Sequence, residues 1–466
     1  MEFKEECETE DEAQPVIISD SEVFRQKYKW IFLFLLCLSQ LGMLYNSQAI
    51  PTLQVPFEKE LGIDEITYSR ILMADAFPNL IFPIIGGYLT DYFGGSASFI
   101  LTSVVIVLGQ SISTFAAYDH SLGIFILGKI VLGIGASTAV VARAKLIKLW
   151  YENHEMGRVV SSIVLIDTGA IIIADLAYPI LYEHAHTLGF PFLIGVVICL
   201  FSLIFAICLI LFLHNKFVSI RNTEGHMEEA NKQISIKDVR AFPKLFWMAI
   251  FTMSWTMISF ILVKMYQSKF LQVDFSFSTS QASIFLAASQ AITAFTTPFA
   301  GILMDKYGKL TLFTIYGNIL IQLGTLLNII IPRCDTCLWP VLPVLCQSVG
   351  VGMLFLSFYS SLIRIIDQKQ LGLALSILPV LMSLHFIFFP GLAGYIAKIT
   401  IDDHGYNMVF LLSLFVGVSG LLVAIRMHVL DRNREMKLQP PKVANLVMQA
   451  VELQNSPTIV ESSSEV

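Results

Sequence analysis

Long apolar runs, separated by short polar turns rich in glycine, dominate the chain. Runs of roughly 20 apolar residues are the length at which a helix crosses a bilayer core. They predict twelve spans, near residues 28–50, 67–90, 97–117, 121–143, 158–182, 188–214, 245–267, 281–304, 310–331, 338–364, 370–397 and 406–427. Between the sixth and seventh lies a polar gap holding Lys216, Arg221, Glu224, Glu228, Glu229, Lys232, Lys237 and Arg240, read as a linker between halves. The expected organisation is a tail at 1–27, a six-helix half at 28–214, a linker at 215–244, a second six-helix half at 245–427 and a tail at 428–466. The expected fold class is therefore an all-α integral membrane bundle.

A repeated phrase supports the division. GGYLTDYFG at Gly86–Gly94 returns as GILMDKYGK at Gly301–Lys309, and with Asp91 laid on Asp305, Gly87 and Gly94 fall on Gly301 and Gly308. A tight turn made by glycine and aspartate explains either copy alone, but the match across 214 residues implies a duplicated bundle.

Composition narrows the function. The chain is 55% hydrophobic and 14% charged, against about 25% charged for soluble domains. A net charge of -6 with no basic stripe argues against nucleic-acid binding. Arg25, Lys27, Lys29, Arg143, Lys145, Lys148, Arg158, Lys306, Lys309, Arg364, Lys369, Arg426, Arg432 and Arg434 alternate with acidic or neutral loops such as 58–65. Cytoplasmic loops retain Lys and Arg, so both tails are expected in the cytoplasm. An opening rich in acids carries no signal-peptide pattern, and both tails read as disordered. Four of the seven cysteines lie inside spans, whereas Cys334 and Cys337 sit together in the loop before span 10, where a local disulfide is one option. No Asn-x-Ser/Thr sequon occurs, so a glycosylated accessory membrane protein is an expected shield for the exposed face.

Ionisable residues inside spans cost about 2.5–3.5 kcal/mol each on insertion, which makes them candidates for function. Asp75, Lys129, Asp167, Asp175 and His385 stand out. At about 1.5 Å per residue, Lys129, Asp75 and Asp175 share a layer some 10–12 Å below the non-cytoplasmic ends of their spans. They form a candidate substrate cluster, with Lys129 expected to couple to Asp175 before Asp75 and with Asp167 deeper beside Ser137. The competing reading is a structural Lys–Asp pair that neutralises itself; for His385 it is a hydrogen-bonded core histidine. Lys264 and Arg364 read as snorkelling from span ends. Tyr45, Asn46, Gln48, Gln290 and Gln347 are further hydrogen-bonding candidates. Phosphate loops, metal clusters and nucleophile turns are absent, so no enzyme activity and no cofactor is expected.

Twelve spans, the linker and the two Gly-x-x-x-Asp-x-x-Gly turns resemble the major facilitator superfamily. That resemblance implies a latch made by Gly87, Asp91, Gly94, Gly301, Asp305, Gly308 and Lys309, in which an aspartate pairs with an arginine at a neighbouring helix end. Tyr92 and Gly95 stand where the family carries basic residues, so Asp91 is expected to matter less than Asp305. Phe77-Pro78-Asn79, Gly128–Gly135, Ser280–Ser283, Gln370-Leu371-Gly372 and Gly405-Tyr406 are similar to the lysosomal dipeptide transporter branch. In that branch an acid in span 4 and an arginine in span 5 hold the two ends of a dipeptide; Ser137 and Thr168 occupy those positions here. The resemblance implies a secondary active or facilitative carrier (uniporter) of small polar solutes, exporting dipeptides or amino acids from the lysosome. The alternatives are a proton-coupled carrier of organic anions or sugars, a membrane sensor or partner subunit that does not transport, and a plasma-membrane location.

Overall fold

A computed structural model describes residues 20–151, 156–217, 242–366, 371–404 and 406–434. Sixteen α-helices and no strand occur among the described residues. Span 1 comprises α1 (Asp20–Leu38), α2 (Leu41–Ser47) and α3 (Ala49–Thr52), followed by the short α4 (Gln54–Leu61). Span 2 comprises α5 (Glu65–Ala76) and α6 (Pro78–Phe93), interrupted where Pro78 has no amide hydrogen to donate. Spans 3 to 6 are α7 (Gly95–Asp119), α8 (Leu122–Trp150), α9 (Met156–Ala185) and α10 (Gly189–Phe217). Spans 7 to 12 are α11 (Lys244–Asp274), α12 (Thr279–Tyr307), α13 (Leu310–Ile330), α14 (Val341–Ile365), α15 (Leu371–His404) and α16 (Asn407–Arg434). Among the described residues, twelve stretches are long and apolar enough to cross a membrane, as expected.

Several spans run further than their polarity suggested. The seventh was expected to stop at 267 but continues to Asp274. Ser268 and Lys269, which look like loop residues in sequence, instead turn onto the first half: Ser268 donates to the Thr52 carbonyl at 3.4 Å, and Lys269 pairs with Glu58 and Glu65. The eleventh likewise continues from the expected 397 to His404.

Helix contacts follow the small residues. A Cβ on Gly109 would lie 2.3 Å from the Leu132 nitrogen, so α7 and α8 meet backbone to backbone, and Gly317 against Gly350 repeats the arrangement between α13 and α14. The duplicated turns share their mechanics too. Gly94 and Gly308 end α6 and α12 at φ +82° and +67°, a region that side chains with a Cβ rarely adopt.

The bundle has a linker face, where α10 ends and α11 begins, and a far face opposite. Spans 2 and 11, and spans 5 and 8, make the seams between the halves. The described cross-half bonds gather at the far face. Lys269 reaches Glu58 at 2.5 Å and also Glu65, the Tyr406 hydroxyl donates to Glu65 at 2.9 Å, and Lys398 meets Asp64 at 2.7 Å. Beneath them Ser69 meets the Tyr266 hydroxyl at 3.0 Å, and at the far-face ends of α9 and α12 the Ser280 amide donates to Glu183 at 3.1 Å. Tyr68, Phe57, Tyr266, Phe270 and Phe410 form one apolar plug drawn from both halves. The structure is thus sealed at the far face. Cys334 and Cys337 are joined as a disulfide in the loop before α14.

Candidate functional site

Below the plug, four ionisable side chains occupy one layer, each seven to ten residues from the far end of its helix, or about 10–15 Å down. Lys129 on α8 is 1% exposed, with its ammonium over the rings of Phe125 at 6.0 Å and Phe192 at 5.8 Å. Asp175 on α9 is fully buried, and neither carboxylate oxygen has a hydrogen-bond partner. Asp75 on α5 and Lys264 on α11 are half-buried. At this depth hydrocarbon is an expensive neighbour for a charge.

The charges couple in an order that corrects the expectation. Lys129 interacts with Asp75, and Asp175 interacts with Lys264 of the other half rather than with Lys129. Lys129 lies over rings supplied by α8 and α10, whereas Lys264 belongs to α11 of the other half. Lys264 does not snorkel from a span end as expected, because ten residues of α11 lie beyond it. Its ammonium donates to Gln48 at 3.5 Å. The couples are loose, since among the described residues Lys129 and Lys264 take part in no ion pair within 4.0 Å.

A polar frame supports this layer. Tyr178 donates to Asn46 Oδ1 at 2.6 Å, Asn46 Nδ2 donates to the Gly42 carbonyl at 2.7 Å, and the Tyr45 and Tyr178 rings lie 4.5 Å apart. Tyr45 keeps a buried hydroxyl with no partner, as Asp75 does with Oδ1. On the second half, His385 packs edge-on to Trp255 at 5.7 Å and beside Phe389 at 5.8 Å, with Nδ1 unpartnered. The aromatic setting therefore supplies no hydrogen bond to that nitrogen, contrary to the core-histidine reading.

The remaining expected residues lie elsewhere. Asp167 is held by Arg143 in a two-pronged ion pair at 2.9 and 3.0 Å, with Cys37 Sγ 3.8 Å from the same guanidinium. Arg143 falls at the expected end of span 4, but α8 continues to Trp150, which puts Arg143 about 10 Å inside. Ser137 and Thr168 return their hydroxyls to their own helices, at Ile134 and Val164. At the repeated turns, Gly87 has open space, Gly301 faces Leu356, and Lys309 is an exposed cap before α13. The side chains of Asp91 and Asp305 lie outside the described residues. Next to the first turn, Lys145 of α8 donates to the Thr90 carbonyl at 3.2 Å.

The chain matches known proteins in sequence and in fold. The signature of the Major Facilitator Superfamily matches residues 32–331 and 260–458. The chain is 22% identical over 419 residues to the lysosomal dipeptide transporter MFSD1 of Mus musculus, covering 88% of each. It is 23% identical to the probable nitrate transporter NarT of Staphylococcus carnosus over 80% of this chain and 89% of that protein. Among solved structures, a D-xylose-proton symporter superposes with a TM-score of 0.65 at 17% identity, covering 86% of this chain and 97% of that one. An auto-inhibited POT family peptide transporter superposes at 0.64 and 14% identity, covering 87% and 97%. The chain belongs to the major facilitator superfamily, and it is a multi-pass membrane transporter of small molecules rather than an enzyme.

Proposed function

We propose that the protein carries small zwitterionic solutes, dipeptides or amino acids, across the lysosomal membrane by alternating access. The halves at 28–214 and 245–427 rock about the charged layer, with the linker face and both tails in the cytoplasm. The observation that carries this reading is the layer itself. Asp75 with Lys129 and Asp175 with Lys264 offer both signs of charge in one layer, three from the first half and Lys264 from the second, and Asp75 Oδ1, both Asp175 oxygens and the Tyr45 hydroxyl are buried without partners. Buried carboxylates seldom stay unpartnered, so a solute with an ammonium group is a fitting occupant. The similarity to a lysosomal dipeptide transporter supports the substrate class and the membrane. Ser137 and Thr168 stand where that branch holds the dipeptide ends, so the four-charge layer takes over that task here. The two repeated turns act as the latch on the cytoplasmic side.

The test is uptake into vesicles reconstituted with purified protein, offered dipeptides, amino acids, sugars and organic anions. Asp175→Asn and Lys129→Gln should each lower uptake of the zwitterion by more than about tenfold, the loss of one charge-assisted contact of about 1.4–3 kcal/mol. Unchanged flux in both variants overturns the site. Preference for a sugar or organic anion overturns the substrate class, and binding without flux for every solute identifies a sensor.

A further inference from the structure

The linker end of the second half holds a cavity of about 560 Å³ that the transport site does not use. Its walls are two helix faces. Lys244, Trp247 and Phe251 recur at turn spacing along α11, and Val423, Arg426 and Leu430 do so along α16, so the cavity is a groove in the seam between these helices. Lys244 and Arg426 are exposed, no acid lines the groove, and among the described residues neither cation takes part in an ion pair. Below the cations the lining is wholly apolar. Phe251 lies about 10 Å along α11 from Lys244, and its ring stacks on Trp255 at 4.9 Å.

Two unneutralised cations at the rim of a membrane helix, over an aromatic and aliphatic slot, have the polarity of a phospholipid inverted. We propose that this groove is a binding site for an anionic phospholipid of the linker-face leaflet: Lys244 and Arg426 take the headgroup phosphate, and one acyl chain lies along Trp247, Phe251, Val423 and Leu430. Basic pockets between membrane helices bind such headgroups in the same way. The occupant's chain is part of the recognition, so free phosphate is not a ligand. The site is independent of the substrate reading.

The test uses the full chain in vesicles of phosphatidylcholine containing brominated phosphatidylserine or brominated phosphatidylcholine as the minor lipid, with tryptophan quenching as the readout. Brominated phosphatidylserine should quench more strongly at equal content, and Trp247→Phe should remove the excess. Lys244→Gln and Arg426→Gln should each lower the preference for the anionic lipid about fivefold, the effect of one basic residue at an anionic surface. Both positions are exposed, so folding is retained. Val423→Phe, which narrows the slot and keeps both charges, should also abolish the excess. Inorganic phosphate should not compete. Equal quenching by the two lipids, or a preference that survives the double Gln variant, overturns the proposal; competition by inorganic phosphate shows an anion site without a lipid.

Discussion

A charge in hydrocarbon is conspicuous in sequence, so Asp75, Lys129 and Asp175 were legible as chemistry before any coordinate was known. Their partners were not, because pairing depends on where helices end. Arg143 shares a short basic stretch with Lys145 and Lys148 and read as a loop residue, yet it grips Asp167 with two hydrogen bonds at 11% side-chain exposure. Removing one member of such a pair leaves an uncompensated charge, worth about 3–5 kcal/mol. Arg143→Ala should therefore lower the thermal midpoint of the purified protein sharply, and Arg143→Ala with Asp167→Ala should recover most of the loss. Strictly additive losses would sink this account. Asp167 thus has a partner in span 4, which leaves Asp75, Lys129 and Asp175 as the members of the expected cluster without an ion pair among the described residues.

Among the helices, α4, α5, α11 and the start of α16 meet at one knot of charge. Burial pushes the Glu58 carboxyl up, Glu65 adds to the rise, and Lys269 pulls it back. The raised value belongs to the sealed arrangement, so proton uptake favours the seal. Acidification from neutrality toward about pH 4.3 strengthens far-face closure, and raising the pH through the shifted value removes that contribution. Asp64 behaves oppositely. Its bonds from Lys398 and Thr67 hold it well below the usual carboxylate range, so it stays charged through the same window. Spin-label distances across the far face should shorten at acidic pH, and Glu58→Gln should flatten the dependence while Asp64 remains paired. A distance that does not change with pH in the parent protein refutes the assignment. None of this was visible in the pattern of apolar runs, because Ser268 and Lys269 look like the end of a span when they are its contact surface.

For the whole molecule, duplication was the most legible feature: Gly94 and Gly308 identified the architecture before the helices did. What repetition cannot reveal is which face is closed, since both halves contain the same turns and only cross-half contacts distinguish the states. Ser268 and the Thr52 carbonyl, 3.4 Å apart, offer a direct check. Thr52→Cys with Ser268→Cys should crosslink readily in vesicles and abolish uptake, while either single cysteine should transport at close to the parent rate. Undiminished uptake by the crosslinked protein would mean that the far face need not open. The same comparison of ends applies to α11, whose 31 unbroken residues span about 46 Å against a hydrocarbon core of about 30 Å. Such a rod must tilt or stand proud of the bilayer. A thicker membrane draws Lys269 toward acyl chains, where it is tolerable only while paired, so longer lipids should hold the far face shut and bilayer thickness itself becomes a control on the rate of alternation.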